Sequence, residues 1–350
     1  MSFQIPSRTR VVACQGGLNT QIEWRPLERP QPGELLLGLR QVGFCGTDLF
    51  KLENNTTAAG TVLGHELVGT VIAIGEGIDN FSLGDRIAVP HHVSCGDCAL
   101  CRSGSETMCD VFRENLLAPG GFAEHVIVRP RAVQHCAFKL PEYVSDDAAV
   151  FLEPAACVLR GIDRSGLVDG APAAVVGAGS MGLLHLALLR AYRPNSPVLI
   201  IDVQPKRCEF AKAHGAAEAV HPDQGRNSSE RLSGGLGVDV VFDTVGGAKV
   251  LNTAVGLTRQ GGTVVLFAHA AEGEPASFTL NELFKYERRV LGTYSGSTRE
   301  QQVVFDLLIS GAFDPTHLIS HRFSLDEFDA GVKLARQREA LKIMFTPTTL

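Results

Sequence analysis

Residues 173–182 read AAVVGAGSMG, a short apolar run that leads into three glycines with the spacing G-x-G-x-x-G. The run Ala173–Val176 predicts a buried strand, and the apolar segment Met181–Ala191 predicts a helix directly after it. The same alternation continues with a strand at Val198–Ile201 and a helix at Pro205–His214, which begins with proline. Strands that alternate with helices predict a doubly wound parallel sheet covered by helices.

The glycine-rich turn has the context that a dinucleotide site requires, because it follows a strand and opens a helix. Gly177 permits the tight turn, Gly179 lets the backbone approach a pyrophosphate, and Gly182 lets helix and strand pack closely. Ser180 and Met181 lie in the first turn of the helix, where unpaired N–H groups and the helix dipole attract phosphate. The sequence therefore predicts a Rossmann-type cofactor domain.

An acidic residue follows the second strand at the distance expected for ribose recognition. Asp202 comes 20 residues after Gly182, and its carboxylate can accept hydrogen bonds from both ribose hydroxyls of NAD while repelling the extra phosphate of NADP. Arg207 is a second candidate for cofactor binding, and its positive charge would weaken the preference for NAD over NADP. The alternative is that Arg207 simply belongs to a solvated helix face. Asp243 ends a further strand and is interpreted as a turn residue.

The two ends of the chain differ in pattern from its middle. Short alternating segments such as Glu34–Arg40 and Thr70–Ile74 are separated by Gly, Pro and Asp turns and predict an antiparallel, barrel-like region. We expect a catalytic domain made of residues 1–155 and 295–350, interrupted by a cofactor domain at 156–294.

Composition excludes several classes of protein. The 350 residues carry a formal net charge of −6 without a basic block, which argues against nucleic acid and anionic membranes as partners. No signal peptide and no apolar run long enough to span a membrane are visible. We therefore expect a cytoplasmic protein, in which the nine cysteines do not serve as structural disulfides.

Four of the cysteines form a compact motif, C-x2-C-x2-C-x7-C. Four thiolates at this spacing in an intracellular chain favour a tetrahedral structural zinc without an open position. A redox pair, disulfides and an iron–sulfur cluster are the alternatives. The predicted ligands are Cys95, Cys98, Cys101 and Cys109.

A second constellation combines residues from two places in the first half of the chain. Cys45 lies in the segment Gly43–Asp48, which reads GFCGTD, and about twenty residues later the segment Gly64–Gly69 reads GHELVG. A lone cysteine or histidine is usually structural, but the two segments together match G-H-E-x2-G-x5-G-x2-I from Gly64 to Ile78. The chain therefore resembles the zinc-dependent medium-chain alcohol dehydrogenases, in their sorbitol and threonine dehydrogenase-like branch, over nearly its whole length.

The resemblance implies a GroES-like catalytic domain, a second zinc ion with an open position, and NAD as the cofactor. Cys45 and His65 match the family's catalytic zinc ligands, and Glu66 matches the acidic residue that ligates or adjoins the metal. Glu153, in the segment EPAAC, is similar to the glutamate at the third ligand position of this branch. Thr47 matches the hydroxyl that binds the substrate oxygen.

Two positions depart from the family pattern. Phe50 occupies the place of a histidine that relays protons, so either water or another group takes that role or the pocket is more apolar than is usual in the family. The segment Gly292–Gly296 lacks the arginine of an Arg-Tyr pair in sorbitol dehydrogenases, which puts a plain sorbitol activity in doubt.

The most consistent hypothesis is a zinc-dependent dehydrogenase that transfers a hydride between NAD and a secondary alcohol of a small polyol, cyclitol or amino alcohol. A threonine-type or general alcohol or carbonyl dehydrogenase is the enzymatic alternative, and an NAD-binding sensor on the same scaffold is the non-enzymatic one. The family resemblance also implies a homodimer or homotetramer. Predicted edge strands near Thr263–Phe267 and Val290–Tyr294 would allow such pairing.

Overall fold

The structure is a computed structural model that describes residues 4–271, 273–276 and 279–348. The chain divides into two compact units, one made of Met1–Pro154 with Ser297–Leu350 and the other of Ala155–Gly296. The strands are β1 Arg8–Gly16, β2 Asn19–Pro26, β3 Leu35–Gly43, β4 Glu66–Ile74, β5 Arg86–Pro90, β6 Leu117–Ala118, β7 His125–Val128, β8 Phe138–Lys139, β9 Ala173–Val176, β10 Val198–Ile201, β11 Glu218–Val220, β12 Val238–Asp243, β13 Thr258–Leu266, β14 Arg289–Gly292, β15 Ile319–Ser324 and β16 Lys342–Thr346. The helices are α1 Gly46–Glu53, α2 Ala99–Arg102, α3 Pro130–His135, α4 Asp146–Ala149, α5 Leu152–Ser165, α6 Ser180–Tyr192, α7 Pro205–Ala213, α8 Gly225–Leu232, α9 Ala248–Leu257, α10 Leu280–Phe284, α11 Thr298–Ile309 and α12 Phe328–Arg336.

The second unit contains a parallel sheet of six strands in the order β11-β10-β9-β12-β13-β14. Strands β9 and β10 are fully apolar, and all four residues of each are buried, as expected for strands covered on both faces. The chain order reverses beside β9, and ligands of doubly wound sheets bind at such a switch point. The predicted Rossmann fold is confirmed.

The position of one predicted edge strand is wrong. The segment Thr263–Phe267 corresponds to β13, which extends from Thr258 to Leu266 and pairs on both sides, with β12 and with β14. The last strand of the sheet on this side is β14, at the segment predicted as Val290–Tyr294. The local pattern could not distinguish the two strands because both are short and apolar.

The first unit is built on a curled sheet in which β3 pairs antiparallel with β4, and β4 pairs antiparallel with β5. The C-terminal strand β16 joins the other side of β3, so the last residues of the chain complete the sheet that the first half begins. One pairing, β15 with β16, is parallel rather than antiparallel. The GroES-like β-rich fold class is otherwise as expected.

Aromatic packing closes the end of this sheet where β3 leads into α1. Phe122 and Phe328 lie 4.7 Å apart between ring centroids, and Phe328 and Phe345 lie 5.1 Å apart. Phe44, the residue before Cys45, packs edge-on against Phe328 at 5.9 Å. Rings at these separations attract each other beyond simple area burial. The cluster therefore fixes the backbone from which Cys45 projects.

Candidate active site

Cys45 is the N-cap residue of α1, and the helix start holds its side chain in place. The Thr47 amide donates to Cys45 Sγ at 3.4 Å, and the Cys45 amide donates to Asp48 Oδ2 at 3.1 Å. This reciprocal arrangement is a capping box in which a thiol replaces the usual hydroxyl. The thiol of Cys45 and the half-buried side chain of Thr47 consequently lie beside each other at one end of the helix.

His65 is anchored by the same acidic residue. Asp48 is fully buried, and its Oδ1 atom accepts from the Gly64 amide at 3.3 Å and lies 3.4 Å from His65 Nδ1. Burial lowers the pKa of His65, but the negative charges of Asp48 and Cys45 outweigh burial and hold this pKa well above its usual value. The field at the imidazole is therefore negative and favours a cation.

Glu66 is buried beside a lysine that comes from the far end of the chain. Lys342 Nζ donates to Glu66 Oε2 and, at 3.3 Å, to the carbonyl oxygen of Phe44. Burial lowers the pKa of Lys342, but the charges of Glu66, Cys45 and Glu153 raise it above its usual value, so the ammonium stays charged. The other carboxylate oxygen, Glu66 Oε1, is buried without a hydrogen-bond partner among the described residues.

The ligand atoms of Cys45, His65 and Glu66 all lie within 4.8 Å of one another. This group does not include Glu153, which lies in the first turn of α5 and lines the same small cavity as Glu66. Thiolate, imidazole and carboxylate are the ligand types that zinc takes in proteins, and a buried carboxylate oxygen without a partner requires a donor or a cation. The donor set therefore fits a zinc ion, with Glu153 at the edge of the site.

The sulfur atoms of the four-cysteine loop lie close to one another. Sulfur–sulfur distances are 3.5 Å for Cys98 with Cys101, 3.5 Å for Cys95 with Cys109 and 3.9 Å for Cys95 with Cys101. Tetrahedral zinc with bonds of about 2.3 Å to sulfur separates its ligands by about 3.8 Å, so the loop fits this ion. None of the nine cysteines forms a disulfide in the structure.

Two cysteines of this loop differ in their electrostatics. Amide N–H groups of Asp97 and Cys98 lower the pKa of Cys95 to about 6, because they donate to the thiolate. Burial raises the pKa of Cys101 to about 11. Cys95 therefore loses its proton more readily than Cys101, and a zinc ion held by the loop would favour the thiolate form of both.

The glycine-rich turn has the backbone geometry that the motif predicts. Gly177 has φ +98°, and a Cβ atom there would lie 2.7 Å from the hydroxyl oxygen of Thr244. A Cβ atom on Gly182 would lie only 1.8 Å from the carbonyl oxygen of Gly177, so helix α6 packs too closely for any side chain. Gly179 is the N-cap of α6, and Ser180 and Met181 form its first turn with no acidic residue.

Asp202 is tied to this turn by hydrogen bonds. Its Oδ2 atom accepts from the Ala178 amide at 2.7 Å and its Oδ1 atom accepts from the Gln204 amide at 2.7 Å. The Arg207 guanidinium lies 3.9 Å from Oδ2. Each carboxylate oxygen keeps a second lone pair, so the side chain can position the turn and still accept from a ligand. Asp243 is a turn residue as interpreted, since its Oδ1 accepts from Val245 and Gly246 amides.

Comparison with known proteins agrees with this architecture. Residues 31–142 match the family model described as alcohol dehydrogenase GroES-like domain, and residues 180–310 match the model described as zinc-binding dehydrogenase. The chain belongs to the zinc-binding alcohol dehydrogenase family. It is an oxidoreductase of the medium-chain type, and the match in both units covers well over half of the residues.

Individual relatives of this zinc-binding dehydrogenase are distant but extend along its length. It is 27% identical to a sorbitol dehydrogenase of Bacillus subtilis (strain 168), with 99% of each chain covered. It is also 27% identical to an L-threonine 3-dehydrogenase of Pectobacterium carotovorum, with 89% and 91% covered. A zinc-binding dehydrogenase from Sinorhizobium meliloti 1021 bound to NADP superposes with TM-score 0.86 at 29% identity, covering 98% and 100% of the two chains. No helix in the described part of the chain is both long and apolar enough for a membrane span.

The sequence alone did not point to Asp48 or Lys342 as members of this site. Asp48 had a usable signal, because an acidic residue three positions after an N-cap completes a capping box. The sequence signal for Lys342 is weaker: this lysine directly precedes the apolar run Ile343–Phe345. Such a position is typical of a charge with a buried partner.

Proposed function

We propose that this chain transfers a hydride between NAD and the secondary alcohol of a small polyol, cyclitol or amino alcohol. The observation that carries the proposal is the convergence of Cys45, His65 and Glu66, with one buried carboxylate oxygen of Glu66 left without a partner. In this proposal these three residues, together with Glu153, hold a catalytic zinc, and the first unit is the catalytic domain. The four-cysteine loop holds a structural zinc.

Each group would have a separate task. Zinc with an open position supplies a Lewis acid that polarises an alcohol oxygen, and the nicotinamide supplies the hydride acceptor. Thr47 lies beside Cys45 at the start of α1, where its hydroxyl can accept a proton from the substrate and pass it outward. Asp48 keeps His65 in one orientation, and Lys342 balances the charge of Glu66.

For the cofactor, we propose that NAD is preferred over NADP. Asp202 is buried, its Oδ2 atom accepts from the nucleotide turn and its Oδ1 atom from the Gln204 amide, so a 2′-phosphate nearby would meet a fixed negative charge. Arg207 opposes this effect from 3.9 Å away, which predicts a preference rather than exclusion of NADP. The measurement is the ratio of kcat/KM for the two cofactors with one alcohol.

We further propose that the chain forms a homodimer or homotetramer in the cytoplasm. Strand β14 is the last strand of the parallel sheet, and Leu280 and Phe284 beside it in sequence are 77% and 82% exposed. A free strand edge next to exposed apolar side chains can pair with a second copy. Nine cysteines without a disulfide fit a reducing compartment.

The decisive experiment measures metal content and turnover together. Purified protein should contain two zinc ions per chain and should reduce NAD with at least one alcohol from a panel of polyols, cyclitols and amino alcohols. Cys45→Ser should release one zinc and abolish turnover, whereas Cys136→Ser, a buried cysteine outside both groups, should keep both zinc ions and the activity. Two zinc ions and full turnover in Cys45→Ser would refute the proposed site, and one zinc ion in the unmodified protein would favour an NAD-binding sensor.

A further inference from the structure

The register of two strands places a second histidine opposite His65. Strand β4 begins at Glu66, and this residue pairs antiparallel with Pro90, the last residue of β5. Continuation of the same register by one residue brings His91 opposite His65. The two ring centroids lie 4.4 Å apart, with the ring planes tilted by 41°. The residue that follows β5 therefore packs against the ring of a proposed zinc ligand.

This ring contact supplies a restraint that the Asp48 carboxylate does not. Asp48 Oδ1 lies 3.4 Å from His65 Nδ1, so it holds the imidazole at one ring nitrogen only. A ring held at one atom can still tilt about that contact, whereas a metal ligand needs a fixed orientation to within about 10–20°. A second ring in direct contact removes this freedom, because packed side chains leave each other little room to move. His91 thus limits the orientations that His65 can take.

His91 is also the base of the segment that carries the four-cysteine loop. The chain leaves the sheet directly after Pro90, and its return is fixed at the same place, since the Leu116 amide donates to the His91 carbonyl oxygen at 3.1 Å. The next ring, that of His92, lies 3.5 Å from the ring of His91 and 5.2 Å from the ring of Phe112 between centroids. These contacts form one continuous ring row, which consists of Phe112, His92, His91 and His65.

The far end of the ring row belongs to the four-cysteine loop itself. Phe112 is fully buried and packs in one apolar cluster with Cys101 and Cys109. Its amide also donates to the carbonyl oxygen of Cys109 at 2.9 Å. A displacement of these two cysteines must therefore move Phe112, because close-packed side chains transmit small shifts to their neighbours. The positions of the loop sulfur atoms are in this way linked to the orientation of His65.

We propose that His91 is a positioning residue for His65, and that the ring row makes the orientation of this proposed zinc ligand depend on the four-cysteine loop. The inference rests on the proposed function and gives the loop, which has no open coordination position, a part in the reaction. A disrupted ring row leaves the Cys45 site able to bind zinc but with a less well oriented imidazole. Loss of a group that orients a metal ligand lowers metal affinity by about tenfold or more.

The first test observes the two metal sites separately, by NMR of the protein loaded with cadmium-113. The sites differ in their number of sulfur ligands and therefore give separate resonances, which Cys45→Ser and Cys98→Ser assign. His91→Ala should shift the resonance of the Cys45 site and leave that of the four-cysteine loop unchanged. Cys98→Ser should remove the loop resonance and shift the other one as well. An unchanged resonance of the Cys45 site in either variant would overturn the inference.

The second test measures how firmly the Cys45 site holds zinc. Alkylation of Cys45, mapped by mass spectrometry of peptides during titration with a zinc chelator, reports this site alone, because bound zinc protects the thiolate. His91→Ala should lower the chelator concentration needed for half alkylation by about tenfold. His91→Phe should recover most of this loss, since it keeps a ring and removes Nδ1, which is buried without a hydrogen-bond partner in the described part of the chain. His135→Ala, which removes an exposed histidine at the end of α3, should behave like the unmodified protein. Equal losses in His91→Phe and His91→Ala would overturn the ring contact as the cause.

A double variant tests the link between the loop and His65. Cys98→Ser and His91→Ala interrupt the same ring row at its two ends, so the double variant should lose no more zinc affinity at the Cys45 site than the weaker of the two single variants. Losses that multiply would mean that the loop and His91 act independently, and would overturn the inference.

The proposed function and this inference fail in different ways. Two zinc ions and full turnover in Cys45→Ser would refute the proposed site itself. Loss of one zinc ion in Cys45→Ser, together with normal zinc affinity of the Cys45 site in His91→Ala, would leave the proposed function in place and overturn the positioning role of His91 alone.

Discussion

Replacement of Lys342 by methionine tests whether the buried charge pair with Glu66 holds the site together. The two residues are 3% and 1% exposed, and they join β16 to the start of β4 across 276 positions of sequence. Methionine keeps an unbranched apolar stem of similar length, so little hydrophobic burial changes. The substitution therefore removes mainly the charge.

The expected loss of stability follows from the contacts that Glu66 retains in this variant. Its Oε2 atom loses the ammonium, and its Oε1 atom has no partner among the described residues, so the carboxylate becomes a buried charge without compensation. Removal of one member of a buried ion pair costs about 3–5 kcal/mol. The carbonyl oxygen of Phe44 also loses its contact with Lys342 Nζ, which adds about 1 kcal/mol.

The assay is urea unfolding followed by circular dichroism, on metal-free protein and on protein with excess zinc. We expect Lys342→Met to lower the free energy of unfolding by about 4–6 kcal/mol without metal. Zinc should recover part of this loss, since a cation beside Glu66 would replace the missing positive charge. The double variant Glu66→Gln with Lys342→Met should be more stable than Lys342→Met alone, because a neutral amide does not need a counter-ion.

A loss below about 1 kcal/mol in the metal-free protein would refute the reasoning. Strictly additive effects of the two substitutions would do the same, since they would mean that the two side chains do not interact. Arg322→Met serves as the matched control. It breaks an exposed pair with Asp147 in the same unit and should cost less than about 1 kcal/mol.

Three further outcomes are expected. Gly182→Ala should abolish binding of the dinucleotide, measured by fluorescence of the reduced cofactor, because its Cβ atom would lie 1.8 Å from the Gly177 carbonyl oxygen; binding within about twofold of normal would contradict the packing argument. Cys98→Ser should remove one of two zinc ions and make residues 95–109 sensitive to trypsin while leaving the other zinc in place, and mass spectrometry of the intact protein and its fragments would check both. Asp202→Ala should raise the NADP to NAD ratio of kcat/KM by about tenfold and also raise the KM for NAD, since the turn loses its anchor; an unchanged ratio would exclude Asp202 from ribose recognition.

The parts of the fold that sequence predicts well are those determined by neighbours in the chain. The strand β9, the glycine turn and the start of α6 follow within ten residues, and each glycine has a local steric reason. The four-cysteine loop is equally local, because its ligands span only 15 residues. In both cases the spacing itself encodes the geometry.

The parts that sequence does not predict depend on contacts between distant segments. Lys342 reaches Glu66 only because β16 pairs with β3, and no local pattern states which strand β16 will join. The error at Thr263–Phe267 has the same origin, since an internal strand and an edge strand of a parallel sheet are both short apolar runs. The sequence therefore does not predict that Lys342 neutralises the charge of Glu66, because this contact depends on how the strands pair.

The convergence of two adjacent residues on one centre requires a particular backbone. Neighbouring residues of an extended strand point to opposite faces, so His65 and Glu66 could not both face one metal ion from within β4. The strand begins only at Glu66, and Gly64 before it has φ +90°, a conformation that L side chains rarely adopt. A Cβ atom on Gly64 would also lie 2.8 Å from the amide nitrogen of Phe122, so the turn cannot simply be rebuilt around another residue. The glycine before the histidine is thus a geometric requirement of the proposed metal site, since it turns the chain so that consecutive side chains meet.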